Sequence, residues 1–253
     1  MIKNKKIMEG FKPKYVPNKS RNKNNNDINK KTNTNQNGKK TTNSNQNRKN
    51  MLLEQKWKKR THDTHLTHLD LYRNKSYQTA LLGDSMFERW KTTGIKMWEE
   101  MKDKVANLGV GGDGIEHLLY RIEGNDQVES ILDVIQLEKI ILMIGTNNVE
   151  KKSVQELMDG LKNVIGIILK KKPSIKLVVC ALFERIDVPA EKVQEYNKLI
   201  ENHVNELSNQ NVSFKNFGDS VNHSLHQSQF YDDKVHLNLQ GYEKWHEELT
   251  KLI

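Results

Sequence analysis

The feature of this sequence that most constrains its fold is a series of five short apolar runs, each followed by a loop and then by a stretch of helical periodicity. The apolar residues in each run are nearly continuous rather than alternating with polar ones. Strands of that kind are covered on both faces, which is typical of parallel sheets. The runs occupy residues 80–82, 105–108, 140–144, 175–182 and 212–214.

The segments between the runs repeat apolar residues every three to four positions, which is the period of an amphipathic helix. The third and fourth runs are about 30 residues apart, the length of a β–α–β unit. The pattern therefore predicts an α/β fold, a three-layer α/β/α sandwich with a five-stranded parallel sheet. The helical faces are formed by Val154, Leu157, Leu161, Val164, Ile165 and Ile168, by Val193, Tyr196, Leu199, Ile200, Val204 and Leu207, and by Tyr242, Trp245, Leu249 and Leu252.

Residues 1–50 differ in composition from the rest of the chain. They hold 14 lysines and arginines against two acidic residues, a net charge of +12, together with 14 asparagines. This tail has too few apolar residues to offset the entropy of ordering, so we predict that it is disordered. Its charge would attract polyanions such as nucleic acid or an acidic membrane surface, but a low-complexity extension that only aids solubility has the same composition.

Residues 51–77 form a transition segment, in which Trp57, Leu66 and Tyr72 favour a helix or an arm packed on the predicted domain, residues 78–253. No apolar run has signal-peptide length, and none approaches the ~18–20 residues of a membrane span. We therefore expect a soluble, cytoplasmic protein. The single cysteine, Cys180, lies within an apolar run, which excludes an internal disulfide and predicts a buried thiol.

Polar residues or glycines follow three of the predicted strands, at the sheet edge where doubly wound folds bind ligands. Ser85 follows the first strand, where its hydroxyl suits a nucleophile and its N–H an oxyanion, although an N-cap serine would occupy the same position. Gly112 lies in the glycine-rich loop 109–114, which suits close approach to a substrate, a tight turn or a phosphate cradle. Asn147 follows the third strand, where its amide suits an oxyanion donor or a turn.

A carboxylate and an imidazole lie three residues apart near the C-terminus, as Asp233 and His236. In a loop, this spacing allows the carboxylate to accept from Nδ1–H and leaves Nε2 free as a general base. A solvated histidine before the last helix, and Asp232 as the acid in place of Asp233, remain open alternatives. His223 and His226 precede this block, but neither has an acid three residues before it.

Other polar residues are expected to have structural roles. His62, His65 and His68 are spaced for one helix face, but their surroundings offer no closed ligand set, so we expect no metal site. Glu116 and Arg121 are expected to stabilise the helix after the glycine loop.

The chain resembles the SGNH/GDSL hydrolases over roughly residues 78–253, and within them most closely the catalytic subunits of intracellular type IB platelet-activating factor acetylhydrolase. That resemblance implies a flavodoxin-like fold with sheet order 2-1-3-4-5. Asn148 stands where many GDSL enzymes have aspartate, but the acetylhydrolase-like members also have asparagine there. The blocks that carry the resemblance are Leu82-Gly83-Asp84-Ser85-Met86, Asn107-Leu108-Gly109-Val110-Gly111-Gly112-Asp113 with His117 and Arg121 after it, Gly145-Thr146-Asn147-Asn148, and Asp233-x-x-His236.

The resemblance also implies a function, that of a serine ester hydrolase. Ser85 would be the nucleophile, His236 the general base and Asp233 the acid that orients it, while Ser85 N–H, Gly112 N–H and the Asn147 side chain would form the oxyanion hole. The implied substrate is a small acyl or acetyl ester, cleaved through an acyl-enzyme without a metal or organic cofactor, and the implied partner is a second copy in a homodimer. A different class of function, nucleic-acid binding through the basic tail beside an accessory or inactive esterase domain, also remains open.

Overall fold

The computed structural model describes residues 53–221 and 231–253, so the predicted disorder of residues 1–50, together with His223 and His226, lies outside the described residues. The strands are β1 (Ser76–Gly83), β2 (Val105–Gly109), β3 (Gln136–Met143), β4 (Lys176–Cys180) and β5 (Val212–Lys215). All neighbouring strands are parallel, and their order is β2-β1-β3-β4-β5. The predicted α/β fold and its strand order are confirmed.

Helices cover both faces of this sheet. The helices are α1 (Lys59–Tyr72), α2 (Ser85–Glu88), α3 (Ile95–Met101), α4 (Ile115–Glu123), α5 (Ile131–Val134), α6 (Val154–Lys171), α7 (Ala190–Glu206), α8 (Gly218–Val221) and α9 (Leu239–Leu249), with 3₁₀ turns at Arg89–Lys91 and Thr250–Leu252. Right-handed crossovers put the β1–β2 connection on one face and the later connections on the other. Accordingly, α6 packs between α4 and α7, while Trp245 of α9 stacks on Phe87 of α2 with ring centroids 5.4 Å apart.

The central strands form the core, as their continuous apolar runs predict. In β1 and β3 the side chains of Leu81, Leu82 and Ile141 are fully buried. Both strands begin earlier than their apolar runs, because their first residues are polar and partly exposed but still bond in the ladder. Burial continues past the end of β4 through Leu182, whose N–H bonds to Asn197 Oδ1 instead of a neighbouring strand.

The single cysteine lies at the end of β4. Cys180 is buried, as predicted, and burial raises the pKa of its thiol well above the usual value. This thiol therefore stays protonated and belongs to the core.

Three strands end at the same level of the sheet. Gly83 at the end of β1 pairs with Gly109 of β2 and with Met143 of β3. The segments that follow these strands therefore leave from one edge. A Cβ atom on Gly83 would lie only 2.0 Å from the carbonyl oxygen of Met143, so the close approach of β3 requires glycine at this point.

The transition segment contains α1, which packs on α4 and α5 through a face that includes the buried residues Leu69 and Tyr72. Trp57 and Leu66, which also favoured packing of this segment, are exposed instead. Across residues 53–221 and 231–253, no helix is both long enough and apolar enough to pass through a bilayer.

Candidate functional site

Three side chains that are distant in sequence form one hydrogen-bonded chain at the sheet edge. His236 Nε2 lies 2.9 Å from Ser85 Oγ, and His236 Nδ1 lies 2.8 Å from Asp233 Oδ2. Since a carboxylate only accepts, the network assigns the ring proton to Nδ1 and leaves the Nε2 lone pair facing the serine hydroxyl. The structure thus brings together the serine, histidine and aspartate selected from the sequence.

Ser85 is not the cap of its helix. The cap is Asp84, whose Oδ1 accepts from Met86 N at 2.9 Å. Ser85 is the first residue of α2, so its N–H has no acceptor within the helix, and its hydroxyl contacts His236. The alternative in which Ser85 acts as an N-cap does not fit this geometry.

Asp84 itself is fully buried beneath the serine. Burial raises the pKa of this carboxyl to about 7, with nearby Asp113 adding to the effect, while the Met86 N–H, Arg121 and Arg185 oppose it. Its second oxygen, Oδ2, has no hydrogen-bond partner among the described residues. A buried carboxyl with one unpartnered oxygen favours the neutral form.

The loop that carries Asp233 and His236 is held together by hydrogen bonds between its own residues. Asp233 Oδ1 accepts from the backbone N–H groups of Val235 and His236 at 2.7 Å each, and Asp232 N–H donates to His236 O at 2.8 Å. Burial disfavours the charge on Asp233, but the bonds from the His236 ring and from the two backbone groups outweigh it and hold its pKa at about 2. Asp233 is therefore ionised at neutral pH.

The structure distinguishes Asp233 from its neighbour. Asp232 Oδ2 accepts from Arg89 Nη1 at 3.0 Å, whereas it is Asp233 that bonds to the imidazole. Arg89 also lies 3.6 Å from Asp233 Oδ2 and so clamps both carboxylates. Sequence reasoning missed Arg89, because 143 residues separate it from Asp232 and no local pattern links them.

The candidate oxyanion donors lie at the ends of β1, β2 and β3. Gly112 is exposed and has φ +76°, a left-handed conformation that favours glycine. Asn147 is partly buried, and its Nδ2 donates to Asp113 O, next to Gly112, at 2.9 Å. An amide nitrogen carries two hydrogens, so one N–H of Asn147 anchors the glycine loop and the other remains to donate elsewhere.

A fully buried ion pair supports the glycine loop from below. Arg121 Nε donates to Asp113 Oδ2 at 2.9 Å, while its two terminal nitrogens donate to the carbonyls of Leu108 and Gly83, also at 2.9 Å. Arg121 therefore joins α4 to the ends of β1 and β2. Glu116 accepts from Asn148 Nδ2 at 2.8 Å and so links α4 to the loop after β3.

The three histidines of α1 contact different groups. His62 Nδ1 lies 2.8 Å from Tyr120 Oη, and His65 Nε2 lies 2.9 Å from Glu129 O. Burial lowers the pKa of His65 to about 4 and that of His68 to about 2, so both rings are neutral at pH 7. Among the described residues, no group of three or more potential ligands is placed to hold a metal ion.

The chain is similar in sequence to subunits of platelet-activating factor acetylhydrolase IB. Platelet-activating factor acetylhydrolase IB subunit alpha2 of Rattus norvegicus is 27% identical over 188 residues, which cover 72% of this chain and 78% of that protein. The alpha1 subunit of Homo sapiens is 26% identical over 133 residues, 51% of this chain and 54% of the relative. The chain thus spans about half the length of the alpha1 relative that it matches.

Solved structures share the fold. A GDSL-like lipase from Bacteroides thetaiotaomicron superposes with a TM-score of 0.59 and 14% identity, over 76% of this chain and 96% of that one. The model of the GDSL-like lipase/acylhydrolase family matches residues 81–244, a span that runs from β1 through Ser85 to beyond His236. This match covers more than half of the sequence, and the chain belongs to the GDSL-like lipase/acylhydrolase family of ester-cleaving hydrolases.

Proposed function

We propose that this protein is a serine ester hydrolase in which Ser85, His236 and Asp233 form the catalytic triad. The observation that carries the proposal is the continuous chain from Ser85 Oγ through His236 to Asp233 Oδ2, with contacts of 2.9 and 2.8 Å. These distances suit proton transfer from a hydroxyl to an imidazole whose other nitrogen is held by a carboxylate.

The reaction begins when Ser85 Oγ attacks the ester carbonyl carbon and His236 Nε2 takes the hydroxyl proton. The ionised Asp233 stabilises the resulting imidazolium through the Nδ1–H bond. The carbonyl oxygen becomes an oxyanion, which accepts from Ser85 N–H, Gly112 N–H and the Asn147 amide. Such a donor typically contributes ~10²–10³ in rate.

The tetrahedral intermediate then collapses. His236 gives its proton to the leaving alkoxide, the alcohol departs and the acyl group stays on Ser85 as an ester. Water attacks this acyl-enzyme with His236 again as base, and the acid product leaves with Ser85 regenerated. Nucleophilic attack by Ser85 and then by water, with proton transfer through His236, completes this cycle, and we propose no metal or organic cofactor.

The substrate class is a small acyl ester, with acetyl as the first candidate. Two relatives are named acetylhydrolase subunits, which supports an acetyl group. The buried position of Ser85, whose relative exposure is 7%, also favours a small acyl portion at the nucleophile.

The direct test is turnover of p-nitrophenyl acetate by Ser85→Ala. The variant should lose turnover, because no other group on the described sheet edge contacts His236 Nε2 in place of Ser85 Oγ. Ser153→Ala is the matched control, since Ser153 also lies at the start of a helix that follows a strand, but as the N-cap of α6 it accepts from Glu156 N. It should lose about 1 kcal/mol of stability and keep full turnover. Undiminished turnover in Ser85→Ala would overturn the proposal.

Two proposals concern partners. The basic composition of residues 1–50 favours contact with a polyanion such as nucleic acid, and a gel shift that weakens with salt and is lost on deleting these residues would support that contact.

The relatives are named as subunits, which favours self-association of this chain into a homodimer. Sedimentation at several concentrations would separate monomer from dimer.

A further inference from the structure

Residues 53–61, here called the leading segment, precede the part of the chain that matches the family model. The segment has no regular secondary structure up to Lys58, whose backbone is extended, and then enters α1. Its backbone is anchored beside the glycine loop, since Lys56 N–H donates to Glu116 O at 2.9 Å. A segment that precedes the family-model match thus lies against the loop that carries a candidate oxyanion donor.

Two side chains of the leading segment bond directly to this loop. Lys58 Nζ donates to the carbonyl oxygen of Gly112 at 2.9 Å. Thr61 Oγ1 donates to Asp113 Oδ1 at 2.5 Å, in a fully buried contact. Asn147 Nδ2 donates to the following carbonyl, that of Asp113, at 2.9 Å. The peptide groups on either side of Asp113 are therefore each held by a side chain, one from the leading segment and one from the loop after β3.

A third side chain connects the leading segment to the nucleophile helix. Arg60 Nη2 lies 2.8 Å from Glu88 Oε2 on α2. This pair lies over the backbone of Gly111, where a Cβ atom would be 2.4 Å from Glu88 Oε2 and 2.6 Å from Arg60 Nη2. The segment thus contacts both elements that supply backbone N–H groups to the proposed oxyanion hole.

The glycine loop needs such anchors. Gly112 is exposed, has no side chain of its own to pack and adopts a left-handed φ, so its conformation depends on bonds made by its neighbours. An oxyanion donor is effective when it already points at the developing charge and does not reorganise during the reaction. Misplacement of such a group by about 1 Å is enough to lower the rate strongly.

We propose that Lys58 and Thr61 are positioning residues that hold the Gly112 N–H in its oxyanion-binding orientation, an inference that rests on the proposed function. Lys58 has an added electrostatic effect. Its ammonium lies 3.0 Å from the point where a Cβ atom of Gly112 would be, so a positive charge stands beside the donor. Neither residue touches the triad in this arrangement, so the proposed effects act on the oxyanion hole.

The experiment uses the full chain with p-nitrophenyl acetate, a neutral substrate. Lys58→Met and Thr61→Val remove the two bonds, while Lys58→Arg and Thr61→Ser retain a donor at each position. Lys59→Met is the matched control, because Lys59 pairs with Asp63 and lies beside Lys58 without touching the glycine loop. We expect the first two variants to lower kcat by about tenfold with little change in KM, the conservative variants to restore most of it, and Lys59→Met to match wild type.

Hydrogen exchange of residues 109–117 supplies a readout that does not depend on turnover. Lys58→Met should speed exchange of these amides without changing the urea midpoint, since Lys58 is only partly buried and contributes little to global stability. Thr61→Val should do the same, with a lower urea midpoint because Asp113 Oδ1 loses its donor.

The outcomes separate this inference from the proposed function. Wild-type kcat and wild-type exchange in both Lys58→Met and Thr61→Val, with turnover lost in Ser85→Ala, would overturn the positioning role alone. A loss confined to KM would also overturn it, because that result indicates direct substrate binding. Equal turnover in wild type and Ser85→Ala would instead overturn the proposed function.

Discussion

Replacing Arg121 with methionine should destabilise the protein far more than removing an exposed arginine. The Arg121 side chain is fully buried, and it donates to Asp113, to Leu108 O and to Gly83 O at 2.9 Å each. Methionine replaces the aliphatic part of the arginine side chain and has no polar hydrogen, so the substitution removes the charge and the donors but not the apolar packing.

The expected loss in the free energy of unfolding depends on the groups that Arg121 leaves without a partner. Removing one partner of a buried ion pair costs about 3–5 kcal/mol of stability, because the remaining charge is left buried and uncompensated. Asp113 keeps the Thr61 hydroxyl as a donor, and Gly83 O keeps the Val110 N–H at 3.2 Å. These remaining bonds place the expected loss at the lower end, about 3–4 kcal/mol. With an m-value of about 3 kcal/mol per molar urea, the midpoint falls by about 1 M.

Arg73→Met is the matched control for this measurement. Arg73 Nη2 lies 2.6 Å from Glu129 Oε2, but the two side chains are 41% and 59% exposed. A solvated pair of this kind contributes little to stability, so its loss should barely move the midpoint. Equilibrium urea unfolding followed by tryptophan fluorescence compares both variants with wild type at neutral pH.

A double variant sharpens the test. Arg121→Met combined with Asp113→Asn removes both charges, so it should lose less stability than the sum of the two single variants. If Arg121→Met and Arg73→Met had equal midpoints, the buried pair would contribute no more than a solvated one, and the reasoning from burial would be refuted.

Two further predictions concern the carboxyl groups around the site. Asp233→Asn should lower kcat by about 10²–10⁴-fold with little change in KM, because the amide no longer fixes the histidine tautomer. Asp232→Asn is the control and should keep near wild-type kcat, because Asp232 contacts Arg89 and not the imidazole. Equal losses in the two variants would contradict the assignment of Asp233 as the partner of His236. Asp84→Asn should flatten the dependence of stability on pH. The folded pKa of Asp84 is raised from 3.8 to about 7, so the folded protein binds more protons than the unfolded chain in this window, and stability falls as pH rises through it by at most about 4 kcal/mol. Urea midpoints at pH 5, 6 and 7 would reveal this slope in wild type, and the same slope in Asp84→Asn would rule out Asp84 as its source.

The sheet could be predicted from the sequence because its central strands are buried on both faces. Continuous apolar runs then identify each strand without help from tertiary contacts. Strand ends are a different problem. The first residues of β1 are exposed and polar although they belong to the strand, whereas Leu182 is buried although it lies beyond the end of β4. At these positions hydrophobicity indicates which residues are buried, not which residues form the hydrogen bonds of the sheet.

Within the candidate site, contacts between residues close in sequence were the easiest to predict. Asp233 and His236 are three residues apart, so their contact follows from one turn of chain. The roles of Asp84 and Ser85 were harder to assign, because aspartate and serine both favour helix N-caps. Only the structure shows that Asp84 is the N-cap of α2. The contacts of Lys58 with the glycine loop depend on how α1 docks, and no spacing in the sequence encodes that.

The two parts of the site are held in different ways, and this difference separates stability from activity. Ser85 follows a strand whose end is fixed by a fully buried arginine, so changes there affect the whole fold. The His236 loop is held near the surface, by Ile186 N–H on Lys234 O at 2.9 Å and by the partly exposed Arg89. Loss of such peripheral contacts costs little global stability, yet catalytic geometry tolerates displacements of only about 0.5 Å. Substitutions that remove these contacts, unlike Asp232→Asn, which keeps an oxygen acceptor for Arg89, are therefore expected to lower kcat without moving the urea midpoint. This is the reverse of the balance expected for Arg121.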